Sequence, residues 1–135
     1  MRAWLSALAA LTWAAAAPAQ TLISPQAFLD EAVGKTLTFS DLTTNQIVGT
    51  EFFISRTESV WEQADGICVR GRITTPDDRI CFLYDHQQDR EPVCWWPFRH
   101  EGRLMVRVAR LSDGEIQVVS DISDEPFYCG DVPVS

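Results

Sequence analysis

The sequence predicts a mainly β protein: an antiparallel meander of seven to eight strands forming a small barrel or curled sheet, with one N-terminal helix. Three observations carry that expectation. Beyond Gly34 the apolar residues recur with a period of two, the mark of strands with one buried face. Turn signals interrupt those runs at intervals of about 12 residues, the spacing of an all-β sandwich or barrel. An even set of cysteines, Cys68, Cys81, Cys94 and Cys129, follows an export-type leader and implies disulfides.

The leader comes first. Arg2 precedes an apolar run from Ala3 to Ala17, broken only by Ser6 and Thr12, and Ala17-Pro18-Ala19 supplies the small residues of a cleavage site. This is the pattern of a secretory signal peptide, residues 1–19, leaving 20–135 as a single disulfide-stapled β-rich domain in the periplasm or outside the cell. The run of about 15 residues is short of the roughly 20 needed to span a bilayer. No cysteine follows it to carry a lipid, and no later stretch approaches spanning length, so no membrane span is expected after cleavage.

One helix is expected next. Ser24-Pro25 offers an N-cap followed by proline at the first helical position. Phe28, Leu29, Ala32 and Val33 form one apolar face, Asp30 and Glu31 lie on the other side, and Gly34 closes the helix. A helix of about ten residues is too short to stand alone, so it must plug one end of the barrel or cover an open edge.

The strands then follow in order. Thr36 to Phe39 is short, and Ile47 to Ser55 carries Gly49 as a bulge position. Glu58 to Gln63 holds Val60-Trp61 and ends at the Asp65-Gly66 turn. Ile67, Val69, Gly71 and Ile73 alternate with Cys68, Arg70 and Arg72, up to the turn at Thr75-Pro76-Asp77-Asp78. Ile80, Phe82 and Tyr84 alternate with Cys81 and Leu83, and a charged loop from Asp85 to Pro92 leads to the aromatic strand Val93 to Phe98. After His100-Glu101-Gly102 come Leu104, Val106 and Val108, then Ser112-Asp113-Gly114 and a last strand from Glu115 to Val119. The tail from Asp121 reads as irregular, pinned by Cys129.

Four cysteines allow three connectivities, and sequence alone does not choose among them. Cys68, Cys81 and Cys94 are each 13 apart, and the second interval centres on the polar Gln87-Gln88. If hairpins join successive strands, Cys81 and Cys94 fall opposite each other, which favours that bridge and leaves Cys129 to tie the tail to Cys68. A zinc site lacks the usual Cys-x-x-Cys pair, and the only histidines are His86 and His100, so neither a metal nor another cofactor is expected.

Charge excludes other classes. The chain of 135 residues has a net charge of -8, and loss of Arg2 with the leader makes it -9. Nucleic acid and anionic membrane surfaces both require a surplus of Lys and Arg.

The blocks Val60-Trp61, Cys68-Val69-Arg70-Gly71-Arg72, Ile80-Cys81-Phe82-Leu83-Tyr84 and Cys94-Trp95 together resemble small exported alphaproteobacterial proteins of unknown function. Those proteins share the order Trp, Cys-x-x-Gly, Ile-Cys-Phe-x-Tyr, Cys-Trp. The likeness covers residues 34–98. The family often has an aromatic after the Gly-x pair, where this chain has Ile73 one place later. The resemblance implies a periplasmic β-rich domain and no established activity.

Few residues suggest chemistry. His86, between Asp85 and Asp89, has the surroundings of a general base, but no Ser or Cys nucleophile is tied to it by a motif, and loops of this composition are ordinarily just solvated. The cysteines lack the close spacing of a redox pair. Asp121, Asp124, Glu125 and Asp131 do not fit a calcium loop. Arg70, Arg72, Arg79, Arg103 and Arg107 suit charge ladders on an outer face. Trp61 reads as core. Trp95 and Trp96 point to opposite faces of their strand, so at most one joins the core; the other is exposed, packed under the helix or the tail, or part of a binding surface with Tyr84 and His86. The expected function is therefore a non-enzymatic exported module that binds an unknown protein or small ligand. One form is an inhibitor of an exported hydrolase, with Gln20 to Ile23 as a mobile arm. The alternatives are a small-ligand-binding barrel and an enzyme without a recognisable motif.

Overall fold

The structure, a computed structural model, describes residues 14–17, 19–87, 90–110, 114–127, 129 and 130. Most of the expected signal peptide lies outside these, as do Gln88 and Asp89 of the charged loop, Ser112 and Asp113 of the last turn, and Asp131. Among the described residues no helix is long and apolar enough to cross a membrane.

The chain forms strand β1 (Thr21–Leu22), helix α1 (Pro25–Ala32) and then strands β2 (Thr36–Asp41), β3 (Ile47–Phe53), β4 (Glu58–Gln63) and β5 (Cys68–Thr74). Strands β6 (Ile80–Tyr84), β7 (Val93–His100), β8 (Arg103–Val108) and β9 (Ile116–Ser123) follow. From β2 onward each strand pairs antiparallel with the next, and β9 returns to pair with β2. The sheet therefore closes into an eight-stranded up-and-down barrel, with β1 as an extra strand on β7. Closure removes the exposed edges that an open sheet would present.

Closure needs local bending, and β3 and β9 supply it where they flank β2. Its register shifts against β3 between Phe39 and Ser40, and against β9 between Thr38 and Phe39. The unpaired residues are thus Val48 on one side and Ser120 on the other, and such bulges sharpen strand twist. The bulge expected at Gly49 falls one residue earlier. Gly49 itself answers to packing: a Cβ there would lie 2.6 Å from the Glu62 carbonyl and closer still to the Trp61 ring.

Helix α1 plugs one end of the barrel. The Ser24 hydroxyl caps it by accepting from the Ala27 amide at 3.0 Å, and Pro25 occupies the first turn. Its buried face, Phe28, Leu29 and Ala32, packs with Leu37, Phe53 and Ile80. The Gly34 amide donates to the Phe53 carbonyl at 2.8 Å, and ion pairs Asp30–Arg56 (2.8 Å) and Glu31–Arg99 fix its outer side. The arm expected at Gln20 to Ile23 is not free. Thr21 and Leu22 pair with Arg99 and Phe98, and the Ile23 amide donates to the Pro97 carbonyl at 3.1 Å.

Both disulfides join the expected partners. Cys81 and Cys94 stand directly opposite on β6 and β7 with Cα atoms 4.0 Å apart. Cys68 on β5 holds Cys129 of the tail, with Cα atoms 5.8 Å apart. The tail reaches Cys68 by crossing the outside of the barrel, since the Thr36 hydroxyl on β2 donates to the Glu125 carbonyl at 2.6 Å. Between those two anchors lie Phe52 and Val60, both buried on the outer face. Val60 is completely buried, whereas Trp61, the expected core residue, faces the interior and remains half-buried.

Candidate functional site

Strand register decides which side chains meet inside the barrel, because directly opposed residues share a face. Glu51 opposes Leu37 on one side and Trp61 on the other. Gly71 opposes Ser59 and Tyr84, and Phe82 opposes Val93. Of these, Glu51, Trp61, Phe82, Tyr84 and Val93 line a cavity of about 180 Å³ in the barrel interior. Its aromatic wall is Phe28, Phe39, Trp61, Phe82, Tyr84 and Trp95. The polar lining consists of Glu51 and Gln117, apart from the Tyr84 hydroxyl. The helix closes the end near Phe28, while Trp61, Tyr84, Val93 and Trp95 keep part of their surface in solvent.

Glu51 is the unusual member. It is 2% exposed, and its Oε1 accepts from the Ser59 hydroxyl at 2.6 Å and from the Tyr84 hydroxyl at 3.2 Å. Removal from water disfavours charge, and burial pushes the Glu51 carboxyl from its ordinary 4.5 up to about 8, against the two hydrogen bonds, which favour the ion. The carboxyl is therefore mainly protonated at neutral pH. Burial first, and then the neighbouring Glu51 carboxyl, push the Tyr84 phenol well above its ordinary range. Both donors act on Oε1, and no described hydrogen bond engages Oε2. Gly71 makes room for this trio: a Cβ there would lie 2.8 Å from Ser59 Oγ and 2.9 Å from the Tyr84 ring. Ser59 is fully buried and does not line the cavity, so its hydroxyl positions the carboxyl.

The residues singled out from sequence divide around this site. Tyr84 and Trp95 line it. His86, in the turn Asp85–Gln87, stacks on Tyr84 with ring centroids 6.2 Å apart but is not part of the lining. Trp96 points outward, with the Arg79 guanidinium 5.9 Å from its ring centroid, and borders a shallow groove with Leu22 and Ile23. The cysteines lie elsewhere. Glu62 Oε2 sits 3.8 Å and 4.0 Å from the sulfurs of Cys68 and Cys129, but both sulfurs are joined to each other and offer no thiolate to a metal. Glu51 was missed by sequence reasoning. Its one sequence signal is an acid in phase with Gly49 and Phe53 on a strand whose other polar residue is Thr50.

What this arrangement can do chemically is hold a small molecule by apolar contact and address it with one carboxyl. No family model, curated protein or solved structure matches the chain.

Proposed function

We propose that this protein is an exported, small-ligand-binding barrel acting in the periplasm or outside the cell. The observation that carries the reading is the aromatic cavity of about 180 Å³ with a carboxyl at its wall. An apolar cavity of about 150 Å³ is enough to take a benzene-sized guest, so the expected ligand is a compact molecule of roughly that size. Pockets of this type fix a ligand's orientation with a few polar groups in a mostly apolar wall, and Glu51 and Gln117 fill that role here. The leader pattern and two disulfides support export.

The test is toluene titration of the purified protein followed by tryptophan fluorescence and heteronuclear NMR. Saturable change at Trp61 and Trp95, lost when Val93→Phe fills the cavity, is expected. Absence of any saturable response would remove the reading. A second reading, contact with a partner protein, is favoured by the outward Trp96 and its neighbour Leu22, which is 62% exposed. Large aromatics beside open apolar surface anchor interfaces.

A further inference from the structure

From the placement of Glu51 among the aromatic rings, we infer that the ligand is a small organic cation, an ammonium with an apolar body; this rests on the ligand-binding reading above. Aromatic faces attract cations through the negative charge above and below the ring, and boxes of such rings recognise quaternary ammonium groups. Here Trp61, Tyr84 and Trp95 share a cavity wall with a carboxyl. A purely apolar guest needs no acid, and a buried acid is a burden to the fold. The Ser59 and Tyr84 hydroxyls both donate to Glu51 Oε1, an arrangement that steadies a carboxylate and leaves Oε2 to face a positive charge.

The cavity holds nothing else that would compete. The faces that α1, β2, β7 and β8 turn toward it are apolar. From β9 comes the neutral Gln117 amide, from β4 the Trp61 ring and from β6 the Tyr84 hydroxyl, while the Ser59 hydroxyl and the bare Gly71 back the carboxyl outside the lining. Among the described lining residues no cation faces Glu51, and Tyr84 is the other titratable group. The net charge of -9 without the leader adds long-range attraction for a cation.

Binding then exchanges one charge for another. With the pocket empty the carboxyl carries its proton below about pH 8. An entering ammonium pairs with the carboxylate, and the proton leaves to solvent. Apparent affinity for a permanently charged ligand must therefore fall as pH drops below that value, about tenfold per pH unit.

The probe pair is choline and dimethylbutanol, its uncharged carbon isostere, titrated by calorimetry into the purified protein, with toluene as the neutral control. At about pH 9, where the group is ionised, choline should bind at least tenfold more tightly than dimethylbutanol. Two pH units below the carboxyl's midpoint, choline should bind about a hundredfold more weakly, with release of close to one proton, while dimethylbutanol is unchanged. Glu51→Gln, which keeps an acceptor for Ser59 and Tyr84, should erase both the preference and the pH dependence. The wild-type pH profile stands as a test even where that variant folds poorly. Equal binding of both probes with a flat pH profile overturns the cation inference, as does toluene binding without choline binding; in both cases the ligand barrel survives. If none of the three probes binds, both readings fall.

Discussion

Replacing Glu51 by glutamine should change how stability depends on pH, in a direction opposite to the usual behaviour of carboxylates. The wild-type carboxyl titrates near 4.5 when unfolded and near 8 when folded. Below 4.5 it is protonated in both states, and its contribution is fully present. Between the two values folding takes up a proton, so stability falls with rising pH by about 1.4 kcal/mol per unit. Above about 8 the loss is complete, and the separation of the two values sets it at about 4 to 5 kcal/mol. The amide introduced by Glu51→Gln does not titrate, and its carbonyl still accepts from Ser59 and Tyr84. Urea unfolding of both proteins from about pH 4 to pH 9 isolates the effect, because every other group cancels in the difference. Wild type minus E51Q should decline steadily through that window, leaving the variant the more stable protein in alkali. A difference that stays flat within about 1 kcal/mol would show that Glu51 is charged or hydrated in the fold, and the reasoning from burial would be wrong.

Four further outcomes follow from the geometry. Breaking Cys68–Cys129, which spans 61 residues, should cost about 4 kcal/mol, against about 3 for the 13-residue span of Cys81–Cys94; paired Cys→Ser variants in urea measure the ranking. Trp96→Ser should lower stability by only about 1 kcal/mol, the worth of its contact with Arg79, and leave toluene binding untouched. Trp95→Ala should enlarge the cavity and weaken that binding, and circular dichroism melting with fluorescence titration separates the two tryptophans. Val60→Ala should cost about 2 kcal/mol despite its outward direction, while a loss below about 0.5 would mean that the tail does not cover it.

Local pattern made most of the scaffold legible. Period-two alternation located the strands, Ser24-Pro25 and Gly34 bounded the helix, and equal cysteine spacing on adjacent hairpins led to both bridges. What escaped was non-local. Phe52 and Phe53 are both buried, so the alternation around Glu51 does not say which face is the interior; the crossing tail covers one side and the helix the other. The same strap buries the outward Val60 completely, while the inward Trp61 packs on the core and stays half-buried at the cavity. Ile67 reads as part of an inward series, yet it precedes β5 and is 54% exposed. The two-residue β1 is too short to show a period, and only its pairing with β7 makes it a strand. Trp95 and Trp96 were separable in principle from adjacency, but which one turned inward depended on the register of β7 against β6.

The route of the tail has a consequence for the order of oxidative folding. Pairing of β2 with β9 is the seam that joins the beginning of the barrel to its end. Cys129 follows β9, and its segment passes over that seam before reaching Cys68. Cys81 and Cys94, by contrast, sit across one pair of neighbouring strands and can meet as soon as that hairpin forms. An oxidase acting on the emerging chain therefore finds the local pair available early, while the distant pair comes within reach only once the circle of strands has closed. The second bridge records a completed barrel, and once made it acts as a clasp: strands that part at the seam stay tethered through that sulfur link, which favours their return.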